Sequence, residues 1–361
     1  MIAAEELICP SVAAEVSSLH SPQEWLRFIQ AAIEERLENL FHTKEREAAA
    51  LHPALRVLTS AIRELTMRGG KRLRPALLVA GFQAVSRSRD LNPILDAAVS
   101  AELLQTFLLI HDDWMDRDET RRGRPSVHVL LTAEYGDAHT GASAAILAGN
   151  LAGAYAWEAL TSASFPCEVV RSAVHAFWEM EEQVALGQFL DIVGCQSVHT
   201  VHSLKSASYS VRGPLRIGAL LGGGTKAQLA ALDNFGWPLG NAFQLRDDLL
   251  SAFGDSQQTG KPVGNDLRAG KQTALIADAL ANMEPRDRRA LLNTLGNPDA
   301  TWEETTAITR LLEDCGSRRR VEASLRESVE QALWALDDAP LELEGIALLR
   351  SLAQWISDRC H

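Results

Sequence analysis

Cysteine is scarce in this chain, and no two cysteines lie close enough in sequence to form a paired motif. The five are Cys9, Cys167, Cys195, Cys315 and Cys360. An odd, scattered set without a CxxC spacing argues against a disulfide framework and against a zinc site. The N-terminal stretch MIAAEELICPSVAAEVSS has acids where an export signal has basic residues, and no apolar run long enough to span a membrane. We therefore expect a cytoplasmic protein with reduced thiols and no membrane span.

Positive charge is also in deficit. The formal net charge is −12, because 35 lysines and arginines face 47 aspartates and glutamates. Such a chain lacks the general attraction for polyanions on which nucleic-acid binding depends, so we expect no nucleic-acid partner. A site for a small anion must then be built from a local cluster of cations or from a bound metal ion.

Strand signals are almost absent, since few stretches alternate apolar and polar residues between Asn-Gly or Asp-Gly turns. From Pro22 onward apolar residues recur at spacings of three and four, as in GASAAILAGNLAGAYAWEAL, which predicts one helix after another. Glycine and proline cluster at breaks such as RGGKRLRP and RRGRP. Because no linker divides the chain, we predict an all-α protein with an N-terminal extension at 1–22 and one large helical domain at 23–361.

The stretch LLIHDDWMDRDETRRGRPSVH contains a dense group of acids that is followed at once by arginines. On a helix, Asp112 and Asp116 lie one turn apart on the same face, with Asp113 beside them. Asp118 is off this pattern and is expected at the surface. The apolar run LLQTFLLI just before indicates a helix buried up to its carboxylates. Carboxylates in this arrangement can hold Mg²⁺, which takes few protein ligands and completes its shell with water and phosphate.

A second acidic group occurs in NAFQLRDDLLSAFGD. Gln244, Asp247, Asp248 and Ser251 have the i, i+3, i+4, i+7 spacing of one helical stripe. Two aspartate pairs on apolar helices are far more specific than one, because facing helices could hold metal ions around a single diphosphate. Two unrelated exposed turns remain the alternative.

Basic residues surround these acids at glycine- and proline-rich breaks. They are Arg68, Lys71, Arg72 and Arg74 in RGGKRLRP; Arg121, Arg122 and Arg124 in TRRGRP; and Lys205, Lys261 and Lys271 in SLKSAS, GKP and AGKQT. Arginine binds phosphate in bidentate fashion and lysine acts as a point charge. Any one of these loops would ordinarily be solvated, but their placement around the acid pairs favours an anion site.

Taken together, these motifs resemble the trans-type isoprenyl diphosphate synthases, the family of farnesyl and geranylgeranyl diphosphate synthases. The resemblance covers about residues 58–359, with GGKRLRP, ELLQTFLLIHDDWMD, RRGRPSVH, ILAGN, GQFLD, LKSAS, AFQLRDDLL and GKPVGNDLRAGKQT in order. It implies the isoprenoid synthase fold, a helical bundle around a central cavity. It also implies an Mg²⁺-dependent prenyltransferase that joins isopentenyl diphosphate to allylic diphosphates by ionisation, condensation and elimination. A cytoplasmic homodimer is expected from the resemblance alone.

The resemblance assigns roles residue by residue. Asp112, Asp116 and Asp247 would hold three Mg²⁺ ions, for which Mn²⁺ would substitute, and Asp113, Asp248 and Asp266 would order the water shells. Arg121, Lys205 and Lys261 would contact the allylic diphosphate, and Lys271 would close the site. Lys71, Arg74 and Arg122, with Gln105 nearby, would bind isopentenyl diphosphate. Ser206 and Gln244 would lie beside the allylic carbons.

Two positions depart from the family pattern. Ser251 occupies the place of a frequent third aspartate, which predicts weaker metal binding but not inactivity. Asn150 stands where relatives have an aspartate, with no predictable effect.

Product length is set in this family upstream of the first aspartate motif. Phe107 is the fifth residue before Asp112, Leu108 the fourth and Leu104 the eighth. An ideal helical wheel puts Leu108 and Leu104 on the Asp112 face and Phe107 to the side, so Phe107 as the floor of the product cavity is a family inference. One aromatic at the fifth position, without an insertion in DDWMD, favours a C20 product, geranylgeranyl diphosphate, over the C15 product of a farnesyl diphosphate synthase.

Three other functions are compatible with parts of the pattern. A terpene cyclase shares the first aspartate motif, but the second aspartate pair and GGKRLRP argue against it. A non-catalytic subunit of a heteromeric synthase is hinted at only by Ser251. An acidic helical scaffold would not need the ordered motifs.

Overall fold

Helices form nearly all the regular structure of this chain. The computed structural model describes residues 21–195, 197–254 and 265–358. Its helices are α1 (Pro22–Leu51), α2 (Arg56–Met67), α3 (Leu73–Gln83), α4 (Asn92–Met115), α5 (Val127–Tyr135), α6 (Ala138–Thr161), α7 (Cys167–Ile192), α8 (Val198–Val201), α9 (Gly213–Leu221), α10 (Lys226–Phe253), α11 (Asn265–Arg268), α12 (Ala274–Asn282), α13 (Pro285–Thr294), α14 (Trp302–Asp314), α15 (Ser317–Trp334) and α16 (Leu343–Asp358). A 3₁₀ turn (Pro53–Leu55) follows α1, and a π-helical segment (His202–Arg212) follows α8. The predicted all-α class is confirmed, while most of the predicted N-terminal extension lies outside the described residues.

Helix α4 lies at the centre of the bundle. Its apolar residues surround the helix, as expected for a helix that is buried on all sides, and it packs mainly on α6 and also on α3, α1, α2 and α5. Within the described residues, α4 alone is long and apolar enough to cross a membrane, but 67% of its most apolar window is buried inside the protein. The length and apolar composition of α4 are therefore those of a core helix. Its C-terminal end carries the first acidic group.

The apolar interior consists of two clusters. The larger one unites α1 to α7 with α9, the first half of α10 and α16, and its fully buried side chains include Phe41, Phe177 and Phe235. The smaller one joins the second half of α10 to α12, α14 and α15 through residues such as Leu249 and Leu275. Helix α10 therefore belongs to both clusters and carries the second acidic group between them.

Local sequence explains where the two longest helices, α1 and α10, begin. Ser21 and Glu24 form a capping box at the start of α1, and Thr225 and Gln228 form another at the start of α10. In each box a hydroxyl and an amide or carboxylate oxygen satisfy backbone N–H groups that have no partner within the helix.

A two-stranded hairpin links α4 to α5. Its strands are Thr120–Arg121 and Arg124–Pro125, paired antiparallel with Arg121 opposite Arg124. The turn residues Arg122 and Gly123 have φ values of 54° and 71°, as a two-residue turn with positive φ at both central positions requires. Helical periodicity alone could not have revealed this hairpin, which directs two consecutive arginines to different partners.

The π-helical segment is held tightly between α7 and α10. A Cβ on Gly187 of α7 would overlap the backbone of Lys205, and one on Gly240 of α10 would lie 2.6 Å from the Cβ of Ala207. Both neighbouring helices therefore need glycine at the contact. Such bulged helical segments are frequent at functional sites, and this one carries Lys205 and Ser206.

Candidate active site

The first acidic group is bound by an arginine of the hairpin. Asp113 is fully buried and accepts hydrogen bonds from Nε, at 2.7 Å, and Nη2 of Arg121. The same guanidinium lies 3.3 Å from Asp118 Oδ2 and 3.7 Å from Asp112 Oδ2. The expectation that Asp118 is a plain surface residue is wrong, because its side chain is only 13% exposed and faces Arg121. Arginine thus offsets part of the repulsion among these carboxylates.

Lys205 joins the first acidic group to α7. Its Nζ lies 2.5 Å from Asp191 Oδ2 and 3.3 Å from Asp112 Oδ1. Burial favours the neutral amine, but Asp112 and Asp191 outweigh it and raise the pKa of Lys205. Burial likewise opposes ionisation of Asp112, yet Lys205, Lys271 and Arg121 hold the pKa of this carboxyl below its ordinary value. Both groups are therefore charged at neutral pH.

Lys271 closes the site from the opposite half of the chain. Its Nζ donates a hydrogen bond of 2.7 Å to Asp116 Oδ2, across 155 residues of sequence. Despite burial, Asp116 and Asp112 raise the pKa of this lysine. Burial and the neighbouring Asp112 raise the pKa of Asp116. The lysine of AGKQT thus contacts the last aspartate of DDWMD in the structure.

The second acidic group divides into an inward and an outward member. Asp248 is 3% exposed, and its oxygens accept hydrogen bonds from Gln244 Nε2 at 2.9 Å and from the backbone N–H of Ala274 at 2.8 Å. His202 Nε2 lies 3.6 Å from Asp248 Oδ2. Burial raises the pKa of Asp248 to about 7 and lowers that of His202 to about 4. These contacts tie α10 to α12 and the π-helical segment, which favours a structural role for Asp248 over the predicted water shell.

Asp247 is half-buried on the same turn of α10, and Ser251 follows one turn later. The Ser251 hydroxyl donates a hydrogen bond to Asp266 Oδ2. Serine at the place of the family's third aspartate therefore orients another predicted acid. Lys261 lies outside the described residues.

The loop that precedes α3, together with the first turn of α3, contributes the basic residues of the second half of the site. The Arg74 guanidinium donates hydrogen bonds to Gln105 Oε1 at 2.5 Å and Ser210 Oγ at 2.7 Å, and it stacks 4.3 Å above the ring of Tyr209. Its Nε is buried without an acceptor among the described residues. Lys71 is exposed, with its Nζ 5.0 Å from the ring centre of Trp355 on α16. These contacts bring together the predicted Arg74 and Gln105.

Arg122 points from the hairpin toward this loop. It donates a hydrogen bond to the carbonyl oxygen of Gly69. Burial lowers the pKa of Arg122, and the nearby Arg72, Arg121 and Arg74 add to the decrease, against the attraction of Glu102. Glu102 itself is buried in an ion pair with Arg72. Binding of an anion would relieve the repulsion among these crowded guanidinium groups, which is the property expected of a site for diphosphate.

The residues predicted to set product length lie along α4. Phe107 and Leu108 are half-buried, whereas Leu104 is 1% exposed. The ring of Phe107 packs edge-on against His111, with ring centres 4.8 Å apart, and it faces Gly153 of α6. Phe107 is thus directed toward α6, to the side of the Asp112 face, as the helical wheel predicted.

The donor set fits Mg²⁺ in its chemistry, since every predicted ligand is a carboxylate oxygen. Asp113 Oδ2 is buried without a hydrogen-bond donor among the described residues, and Asp112 Oδ1 faces Lys205 without a well-aligned hydrogen bond. Over the same residues, no three His, Cys, Asp or Glu side chains converge on one point. Asp112 and Asp116 therefore suit a hard cation that completes its shell with water and diphosphate oxygens.

Sequence reasoning missed several residues of the site. Asp191, His202, Ser210 and Tyr209 all contact predicted site residues. Only Asp191 had a signal, because it ends the GQFLD motif. The other three lie on the π-helical segment, whose packing against its neighbours local spacing does not specify.

Comparison with known proteins identifies the family. The model of the polyprenyl synthetase family matches residues 55–312. The chain is 34% identical to a geranylgeranyl diphosphate synthase of Methanosarcina mazei, over 84% of this chain and 90% of the relative. It is also 34% identical to a (2E,6E)-farnesyl diphosphate synthase of Mycobacterium tuberculosis, over 80% of each chain.

Comparison with solved structures leads to the same family. The structure of a geranylgeranyl pyrophosphate synthase from Corynebacterium glutamicum, complexed with isoprenyl diphosphate and magnesium, superposes with a TM-score of 0.87 and 34% identity. The match covers 92% of this chain and 98% of that one. The chain therefore belongs to the polyprenyl synthetase family, which confirms the family and the prenyltransferase class that the motifs predicted.

Proposed function

We propose that this member of the family is an Mg²⁺-dependent short-chain trans-prenyltransferase. It condenses isopentenyl diphosphate with C5, C10 and C15 allylic diphosphates, and its end product is C20 geranylgeranyl diphosphate. The observation that carries this proposal is the pair of lysines at the first acidic group, where Lys205 faces Asp112 and Lys271 faces Asp116. Carboxylates that can bind metal ions, together with lysines from distant elements, can stabilise the negative charge that develops on a leaving diphosphate.

The allylic half of the site stabilises the departing diphosphate. Asp112, Asp116 and Asp247 would hold three Mg²⁺ ions, or Mn²⁺ in their place, and the bound ions would supply positive charge where the C–O bond breaks. Lys205, Lys271 and Arg121 are fixed cations around the same group, and Lys261, which lies outside the described residues, is proposed to contact it as the resemblance implies. Cations held in place before the reaction cost no reorganisation when charge develops. Asp113 and Asp266 order the surrounding water.

The homoallylic half holds isopentenyl diphosphate through Lys71, Arg74 and Arg122, with Gln105 fixing the guanidinium of Arg74. Ser206 and Gln244 direct their dipoles toward the carbons on which positive charge develops. The double bond of isopentenyl diphosphate forms the new C–C bond. The departing diphosphate then accepts the proton that is released.

Product length is proposed to depend on Phe107, with Leu108 and Leu104 along the same helix. One aromatic side chain at the fifth position leaves more depth than two would. The equal identity of the chain to a C20 and to a C15 synthase does not decide between them, so the single ring favours C20.

A cytoplasmic homodimer completes the proposal. Exposed apolar side chains follow one face of α7 and its end, with one more on α6. They are Trp178, Leu186, Phe189, Ile192, Val193 and Leu147. An exposed apolar patch of this kind is typical of a protein interface. The predicted domain at 23–361 would then be the unit that dimerises.

The test is a product analysis of the purified protein. We would incubate it with Mg²⁺, isopentenyl diphosphate and each of the C5, C10 and C15 allylic diphosphates, and size the products by mass spectrometry. A C20 end product from every starter is expected. A C15 end product would support the proposed condensation reaction but contradict the proposed C20 product length. A hydrocarbon formed without isopentenyl diphosphate would indicate a cyclase, and failure with every starter would favour a non-catalytic subunit.

A further inference from the structure

Two glycines of α6 receive two ring side chains of α4. Gly149 and Gly153 are one turn apart, as are His111 and Phe107. A Cβ on Gly149 would overlap the imidazole of His111, whose Nε2 also lies 3.1 Å from the carbonyl oxygen of Ile146. A Cβ on Gly153 would lie 3.6 Å from both Cγ and Cδ1 of Phe107 and 3.9 Å from Cδ2. The Phe107 ring therefore faces Gly153 at a distance that leaves room for one methyl group between them.

The position of this ring matters because of what lies beyond it on α4. His111, Leu108 and Phe107 are all half-buried. One turn further from the carboxylates, Leu103 and Leu104 are at most 1% exposed. The accessible part of α4 therefore ends at the turn that contains Phe107, and a growing chain that follows the helix away from Asp112 meets this ring last.

We propose that Gly153 is a positioning residue that determines product length by seating the Phe107 ring against α6. The inference rests on the proposed function, and it adds a determinant on a second helix. With glycine at 153 the Phe107 ring lies toward α6, which leaves space for the growing chain beside Leu108. A larger residue at 153 pushes the ring off α6 into that depth.

The spacing predicts a graded response. A methyl group at 153 meets the ring at ordinary van der Waals distance, so Gly153→Ala is expected to leave product length unchanged. Valine and leucine add carbons beyond that first contact, which a close-packed site accommodates only by moving a neighbour. His111 abuts Phe107 along α4, so the ring has room to move only away from α6.

The experiment compares end products of the wild type, Gly153→Ala, Gly153→Leu, Phe107→Ala and the double variant Gly153→Leu/Phe107→Ala. Each protein is incubated with Mg²⁺, isopentenyl diphosphate and the C5 starter. Gly153→Leu is expected to shorten the end product by one C5 unit, and Phe107→Ala to lengthen it. In the double variant, the leucine occupies space vacated by the ring, so its product should be shorter than that of Phe107→Ala and close to the wild type.

The outcomes separate this inference from the proposed function. If Gly153→Leu yields the wild-type product while Phe107→Ala yields a longer one, the role of Gly153 is wrong and the reaction stands. If no protein condenses the substrates, the proposed function itself fails. If Gly153→Leu does not fold, as judged by its circular dichroism melt, the double variant decides, because removal of the ring relieves the crowding. A double-variant product as long as that of Phe107→Ala would overturn the inference.

Discussion

The two acidic groups differ in what surrounds them, although both have the same paired aspartates. In the first, Asp112 and Asp116 are half-buried and face lysines from distant elements. In the second, Asp248 is buried and both its oxygens are engaged by protein donors. A shared motif therefore does not imply a shared role. Asp112 and Asp116 keep some exposure, whereas Asp113 in the first group and Asp248 in the second are buried and bound by protein donors.

The electrostatic consequences differ in the same way. Lysines hold the pKa of Asp112 below its ordinary value, while burial raises the pKa of Asp248 to about 7. Asp116 differs from Asp112, because burial and the charge of Asp112 raise its pKa. The charge of Asp112 is thus stabilised by its lysine neighbours, whereas burial disfavours the charge of Asp248. Four substitutions would test this difference, and they are taken in order of expected effect.

The largest effect is expected from Asp112→Asn. The amide keeps the shape of the side chain but removes the charge that holds a cation opposite Lys205, so we expect kcat/KM to fall on the order of 10³-fold, the upper range for loss of one electrostatic group. Steady-state condensation of isopentenyl diphosphate with the C15 starter measures it. Glu119→Gln, an exposed acid of the same stretch, is the matched control and should retain activity. A kcat/KM of Asp112→Asn within tenfold of the wild type would contradict the role of Asp112.

Lys271→Gln should have the next largest effect. It removes the cation that pairs with Asp116 at 2.7 Å, and we expect kcat to fall roughly 10²-fold, as for other fixed groups that stabilise developing charge. The measurement is kcat at saturating substrates. Lys226→Gln changes an exposed lysine at the start of α10 and serves as control. Equal losses in both variants would point to net charge instead of the contact with Asp116.

Asp248→Ala is expected to act chiefly on stability. It removes two buried hydrogen bonds and leaves the amide of Gln244 and the N–H of Ala274 without their acceptor, which costs about 2 kcal/mol of unfolding free energy. Asp247→Ala, on the half-buried neighbour, should reduce activity more and stability less. Urea unfolding and steady-state kinetics on both variants distinguish these effects. The reverse ranking would assign Asp248 the metal-shell role that the sequence predicted.

The sequence predicted the fold class because that depends on short spacings, and the family resemblance supplied most of the proposed site residues. The 3.6-residue period indicated the helices, and the two aspartate motifs with their basic loops indicated where charge must be neutralised. The resemblance implied that Lys271 closes the site, and in the structure this lysine contacts Asp116 of the first acidic group.

Orientation and partner choice could not be predicted in the same way. The i, i+4 spacing placed Gln244 and Asp248 on one stripe, but only the packing of α12 and of the π-helical segment on α10 directs Asp248 inward. Consecutive Arg121 and Arg122 diverge because a hairpin turn with positive φ separates them. Asp118 is shielded because Arg121 folds back over it. Each of these outcomes depends on tertiary contacts between elements far apart in the chain.

The smallest effect is expected at Ser251, where the second acidic group departs from the family pattern. Ser251→Ala removes the hydroxyl that orients Asp266, and one such hydrogen bond contributes about 1 kcal/mol. We therefore expect the Mg²⁺ concentration for half-maximal activity to rise about fivefold, with kcat at saturating Mg²⁺ little changed. Ser251→Thr keeps the hydroxyl and should match the wild type, which separates the hydrogen bond from side-chain volume. An unchanged Mg²⁺ requirement in Ser251→Ala would show that Asp266 needs no partner on α10.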